Sequence, residues 1–237
     1  MTGRNGMNGT RVVRHAAMEL RMLLRNGEQL LLAFAIPLGL LIGGLAWGAG
    51  FGLDLATFPA SVVAVATWST AFTSLAVATG FERRYGVLER LVATPLTRAD
   101  LIAGKALAAT ALVAFQAVLL IAVALAWGWR PAWSAAGAAS AVLATALGIV
   151  AFAGLGLLMA GTLKAEVTLA LANLVYLVGL VLGGLITDQP PWLPTAALGA
   201  ALRTASAGAA APLALLVLAA WAAALTLIAR KAFRWTS

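Results

Sequence analysis

The chain contains no cysteine, which excludes disulfides, thiolate metal sites and cysteine nucleophiles. Its single histidine, His15, excludes a multi-histidine metal cluster. Charge is scarce as well: 10% of the 237 residues are charged and 62% hydrophobic, where an ordinary soluble domain carries roughly 25% charged residues. So little charge cannot cover a globular surface in water, and the mean hydropathy of +0.97 makes lipid the solvent. The length suits one membrane domain and leaves no room for a second, soluble one. A net charge of +8 does not imply nucleic acid here, because of where the charges sit.

The usual signatures of chemistry are missing too. No GxxxxGK[ST] phosphate loop occurs; Gly104-Lys105 is followed by Ala106 and lacks the preceding glycine pattern. Neither paired catalytic carboxylates nor a Ser/His/Asp set is present. Counting Lys105 and Lys164 with the loops, no acidic residue or lysine lies inside a predicted span. That disfavours an ion-coupled carrier, which needs intramembrane ionisable groups. No catalytic, cofactor-binding or metal-ligating residue is assigned.

What is present is six apolar stretches, Gln29–Gly50, Pro59–Gly80, Ala103–Trp127, Trp133–Leu163, Val167–Thr187 and Pro212–Ala229, each long enough to cross a hydrocarbon core of about 30 Å. The fourth has length for tilt, for a kink at Gly154 or Gly156, or for an interfacial start. Residues 188–211, with Pro190, Pro191, Trp192 and Pro194, are too interrupted to span and read as one or two short helices at or dipping into the outer interface. Fourteen of the sixteen basic residues fall in the N-terminus, in the loops after spans two and four, and at the C-terminus; only Arg130 and Arg203 fall on the other side. Positive loops stay in the cytoplasm, so both termini are expected to face inward. Trp127, Trp129, Trp133 and Trp192 then mark the outer boundary and Trp235 the inner one. The basic leader and the long first apolar run predict no cleavable signal peptide.

Two inner segments carry more than topology. In the leader, Arg11, Arg14, Arg21 and Arg25 share a helical arc of roughly 80°, opposite Val12, Val13, Ala16, Ala17, Leu20, Leu23 and Leu24 on an arc of roughly 140°. This predicts an amphipathic helix on the inner membrane surface, stopped at Asn26-Gly27. In Phe81–Lys105 (FERRYGVLERLVATPLTRADLIAGK), Phe81, Tyr85, Leu88 and Val92 repeat at helical spacing. Pro95 breaks that helix, and Thr97 with Asp100 forms a capping box that restarts it. Two ordered helices joined at residues 93–96, mixing charge with apolar anchors, read as a docking surface. Inside the spans, Thr67, Thr70 and Ser74 share one helix face, open either to interhelical hydrogen bonding or to lining a pathway.

The run from Phe81 to Leu91, followed by Ala93-Thr94-Pro95-Leu96, resembles the E-R-x-x-G-[TV]-L-x-R-L-x-[AS]-[TS]-P-[LIV] signature of ABC-transporter permeases of the second type. These include drug-resistance and polysaccharide exporters. Glu19–Asn26 ahead of an apolar span with Pro37, and the six-span layout, are similar to the same family. The resemblance implies an all-α polytopic fold: residues 1–28 a tail and amphipathic connecting helix, 29–230 a six-helix membrane domain, and 231–237 a tail. Within the membrane domain, residues 81–102 would be the coupling-helix loop and 188–211 the extracellular short helices. It implies a multi-pass protein of the cytoplasmic membrane, working with a second permease copy or paralogue. Two separate ATP-binding cassette subunits would bind the ATP and Mg, leaving this chain without a cofactor or enzymatic activity of its own. The coupling role falls on Glu82, Arg83, Arg84, Tyr85, Gly86, Leu88, Glu89, Arg90, Thr94 and Pro95, with Phe81, Tyr85 and Leu88 as anchors to the membrane domain. The connecting-helix role falls on Arg14, Arg21 and Arg25. By topology alone, Thr70, Ser74, Asn173 and Tyr176 fall near the route. An apolar route favours a hydrophobic or amphipathic cargo; a haem, cytochrome-assembly or polysaccharide exporter, or a membrane assembly factor without transport, are the other readings.

Overall fold

Each long apolar run folds as a helix, because hydrocarbon offers the backbone no water to bond and a helix pairs its N–H and C=O groups locally. The structure, a computed structural model, describes residues 9–25, 27–92, 97–132, 134–187 and 189–232. Among them there is no strand. The helices run in the order α1 (Gly9–Arg25), α2 (Gly27–Trp47), α3 (Phe58–Trp68), α4 (Leu75–Arg84), α5 (Val87–Val92), α6 (Arg98–Ala126), α7 (Ala135–Thr162), α8 (Ala165–Leu182), α9 (Pro194–Ser206) and α10 (Pro212–Ala232). A π-helical segment, Ser69–Ser74, joins α3 to α4, so Phe58–Arg84 is one span. Six helices are long and apolar enough to cross a membrane. Asn26 and Trp133, at helix junctions, and Trp235 lie outside the described residues.

The span Phe58–Arg84 is the most buried of the six and α2 and α8 are the most exposed. Its centre is aromatic: Trp68 stacks on Phe72 at 4.2 Å between ring centroids and meets Phe152 edge-on at 4.7 Å. The expected irregularity sits here rather than in α7, which runs unbroken through Gly154 and Gly156. Those glycines instead let the backbones of α10 and of the π segment come close.

Several polar groups inside the bundle find partners across helices. Pro37 has no N–H, so the carbonyl of Ala33 one turn earlier loses its helical donor. Gln116 of α6 supplies one, its Nε2 donating to that oxygen at 3.0 Å, while its Oε1 accepts from Thr70 at 2.9 Å. Thr67 donates back to the Val63 carbonyl at 2.9 Å. Thr67 and Thr70 are thus hydrogen-bonding residues within the bundle.

At the far end, the interrupted 188–211 segment, expected as one or two short helices, takes the single-helix form among its described residues. It holds one helix, α9, inserted among α3, α7 and α10 with Thr195–Gly199 buried. Arg203, placed by sequence with the outer loop, is buried as well. Its Nη1 donates to the Leu185 carbonyl (2.8 Å) and to Ser61 Oγ (3.3 Å), and its Nη2 to the Thr187 carbonyl (3.0 Å). A guanidinium has five donors, enough to serve the carbonyls left open where α8 ends. Trp127 and Trp192 are exposed at this end, and Trp129 donates to the Ala56 carbonyl at 2.7 Å.

Replacing Gln116 by Leu leaves the Ala33 carbonyl and the Thr70 hydroxyl without this partner, and is expected to cost about 1–3 kcal/mol. In a Pro37→Ala background the returned N–H serves Ala33, so the same substitution should cost distinctly less. Denaturant titration of the four variants in mixed micelles reads that coupling; additive effects would mean that the proline and the glutamine act independently.

Candidate functional site

Among the described residues, α1, the end of α4, α5 and the starts of α6 and α8 meet at one end of the bundle. The predicted continuous helix through Phe81, Tyr85, Leu88 and Val92 is interrupted there. Gly86 takes φ +69, a left-handed conformation that glycine adopts without a Cβ penalty, and closes α4 with its N–H on the Arg83 carbonyl. The turn redirects the chain, so Leu88 of α5 enters a cluster with Leu101, Ile102 and Leu157 and is fully buried. Tyr85 is 66% exposed instead of anchoring to the bundle, and its ring stacks with Phe81 at 6.1 Å. The capping box forms as expected: Asp100 N donates to Thr97 Oγ1 and Thr97 N to Asp100 Oδ2, both at 3.1 Å.

Two of the charged residues expected to face a partner point inward. Arg83 donates to the carbonyls of Ala160 (2.8 Å) and Leu163 (3.0 Å), serving the open C-terminal end of α7. Glu82 accepts from Lys105 at 2.7 Å. Lys105, counted with a loop by sequence, stands in α6 and is wholly buried. Its ammonium also donates to Glu19 of α1 at 2.8 Å, so one cation ties the amphipathic helix, the end of span two and the start of span three together. Arg84, Glu89 and Arg90 are exposed, and Arg84 pairs with Glu166 at the start of α8. Thr94 and Pro95 lie outside the described residues.

The ion pair changes the reading of α1. Val12, His15, Ala16 and Glu19 face the protein, Val13 and Ala17 are exposed beside them, and Arg14, Arg21 and Arg25 are exposed on the remaining side. The buried face is therefore not purely apolar. His15 Nε2 lies 3.4 Å from Glu19 Oε1, and its ring rests on Gly104, where a Cβ would come within 2.5 Å of it. Sequence reasoning missed Glu19, His15 and Lys105 as a set. The signal was there: a carboxylate at the edge of the apolar arc of α1 and a lysine within an apolar run each require a buried partner.

Glu19, Glu82, Leu88 and Lys105 fall within residues 16–198, which match the sequence profile of the ABC-2 type transporter family. The chain belongs to that family. No curated protein matches it. As an ABC-2 permease it has α1 and the α4–α5 turn cross-tied to the spans by Lys105, Leu88 and Arg83. The four residues placed near the route do not share one lining in this permease. Thr70, which donates to Gln116, and Ser74 border the same small cavity of ≈ 30 Å³ with Glu19, Ala33 and Lys105. Tyr176 is half-buried, with its carbonyl accepting from Trp68 Nε1 at 3.4 Å, and Asn173 is exposed on α8.

Lys105→Ala strands two carboxylates, and breaking a buried pair this way costs about 3–5 kcal/mol. The triple substitution Glu19→Gln, Glu82→Gln, Lys105→Met removes the charge problem and should recover most of that loss in detergent unfolding. Burial holds the His15 pKa below its usual value, against the opposing pull of Glu19. The unfolded chain therefore takes the proton first. Stability should be level above about pH 6.5 and fall as pH drops from there toward the lowered folded value. His15→Gln should flatten a melting-temperature series over that window.

Proposed function

We propose that this permease is the transmembrane subunit of an ATP-driven exporter moving a hydrophobic or amphipathic, drug- or lipid-like molecule across the cytoplasmic membrane. Separate ATP-binding subunits supply the energy by docking at the arginine-rich end. The observation that carries this reading is α5. A six-residue helix would not hold its position alone, yet Leu88 is clamped in the core while Arg84, Tyr85, Glu89 and Arg90 stand outward. Force applied to such a projection passes into α4, α6 and α7 rather than into a loose loop. The ion pairs of Lys105 carry α1 with it, and the exposed Arg14, Arg21 and Arg25 extend the same charged surface.

The excess of lysine and arginine at this end supports its cytoplasmic placement, with both termini inward. A second permease, identical or a paralogue, fits the apolar exposure of α8, where Leu174, Leu177, Val178 and Val181 face outward beside Asn173. A route formed between two such faces would be poor in ionisable groups, which supports an apolar cargo over an ion. A haem or polysaccharide exporter shares the same architecture and differs in cargo, whereas an assembly factor would need no coupled hydrolysis.

Glu89→Ala with Arg90→Ala should weaken capture of the co-encoded ATPase and abolish the stimulation of its hydrolysis by this chain, while the variant remains folded and membrane-inserted. Capture and stimulation both at wild-type level would remove the coupling assignment. Stable capture with no dependence of hydrolysis on this chain would favour the assembly factor.

A further inference from the structure

Outside the arginine-rich end, the bundle has a second feature that the coupling reading does not use. Toward the far end, α6 and α7 stand apart around a cavity of ≈ 350 Å³. Small side chains cause the gap: Ala114 and Ala117 on α6 look across at Gly137, Ala138, Ala141 and Ala146 on α7. The floor is made by Val63, Val113, Ile149 and Leu202, which are buried, while Ala114, Ala138, Val142 and Ala146 at the rim are exposed. The cavity is therefore a crevice, opening sideways from two membrane-crossing helices. Along α6 it extends from Thr110 to Ile121, roughly 16 Å at the helical rise.

Water is a poor occupant, since apolar cavities of this kind stay dry. A helix from a second copy, about 10 Å across, is too wide for a gap of this volume. What surrounds a crevice on the flank of two membrane spans is lipid, and a single alkyl chain has the required width and apolarity. The end of the crevice nearest the interface carries polar chemistry. Trp129, Pro131 and Ser134 border it, and the exposed Arg130 stands between them. Arg130 Nη1 donates to the carbonyls of Leu125 (3.3 Å) and Trp129 (3.1 Å), which holds the guanidinium beside the end of α6, next in the chain to the lining residues Trp129 and Pro131. Those two carbonyls use one of its nitrogens, and a guanidinium is shaped to meet phosphate oxygens with the others. Arg203, the other cation of this end, is instead buried on backbone carbonyls.

We propose that the crevice between α6 and α7 seats one acyl chain of a phospholipid whose phosphate is held by Arg130. The site is separate from α1 and α5, so it stands or falls independently of the ATPase docking surface. A lipid held there would also fill the space between α6 and α7, so that these two helices move with a bound lipid rather than past a void.

The test uses the full chain reconstituted in vesicles of phosphatidylcholine doped with phosphatidylglycerol carrying a photoactivatable group near the end of one acyl chain. After irradiation, labelled peptides are mapped by mass spectrometry. Labelling should concentrate on residues 110–121 and 138–149. Ala138→Trp, which fills the crevice, should remove it, and the milder Ala138→Leu should reduce it. Arg130→Gln should lower it about tenfold, as loss of a charge-assisted hydrogen bond predicts. Labelling spread evenly over the lipid-facing sides of α2, α8 and α10, or unchanged by either Ala138 substitution in folded protein, overturns the acyl-chain site. Labelling lost in Ala138→Leu yet unmoved in Arg130→Gln overturns the assignment of Arg130 as the phosphate ligand.

Discussion

A polar group placed among these helices has no water to turn to, and that constraint shapes most of what distinguishes this bundle from a bare stack of apolar rods. Burying an ammonium is costly unless it is paired and hydrogen-bonded, so Lys105 brings Glu19 and Glu82 to itself. The two carboxylates come from helices far apart in sequence. The same requirement draws Gln116 to the carbonyl that Pro37 leaves open, Arg83 to the end of α7, and Arg203 to the end of α8. Each contact answers a local deficit. Together they tie non-adjacent segments at both ends of the membrane domain.

The two ends use this constraint differently. At the arginine-rich end, inward charges hold α1 and the α4–α5 turn in place, and the outward ones are left for contact with something else. Buried ion pairs contribute little net stability compared with well-packed apolar groups, so registry is the more telling role for Lys105. Moving α1 away from α6 would strand a carboxylate, which makes the pair a two-position device rather than a soft contact. At the far end, Arg203 pins α9, which gives α3 and α7 a packed neighbour. Beside it, the small residues of α6 and α7 leave space that the protein does not fill.

The central span Phe58–Arg84 links the two ends. It carries the π segment, the Trp68–Phe72 stack and, at its terminus, both Glu82 and Arg83. A π-helical turn places one more residue in the turn than an α-helix does and often marks a functional position. Here it holds Thr70, which bonds to Gln116, and α4 joins it to the ion pair of Glu82 with Lys105. Displacement at α5 would reach it across the Gly86 turn and then through α4.

The six spans, the capping box at Thr97 and Asp100, and family membership were legible in the sequence, because length, hydropathy and a short motif are local properties. The basic residues clustered by loop for the same reason. Three things were decided only by tertiary structure. Glu82 and Arg83 read as surface charges from their spacing, but Lys105 and the end of α7 turned them inward. The repeat of Phe81, Tyr85 and Leu88 read as one helical face, but the left-handed turn at Gly86 sent Tyr85 out and Leu88 in. Arg203 read as an outer-loop cation, but the carbonyls beyond α8 drew it into the core. For Glu82, Arg83 and Arg203 a side chain's direction depended on which unsatisfied group stood opposite it on a segment distant in sequence, and for Leu88 on the apolar cluster that α6 and α7 present. Periodicity describes a helix's own faces; it cannot say what a neighbouring helix lacks.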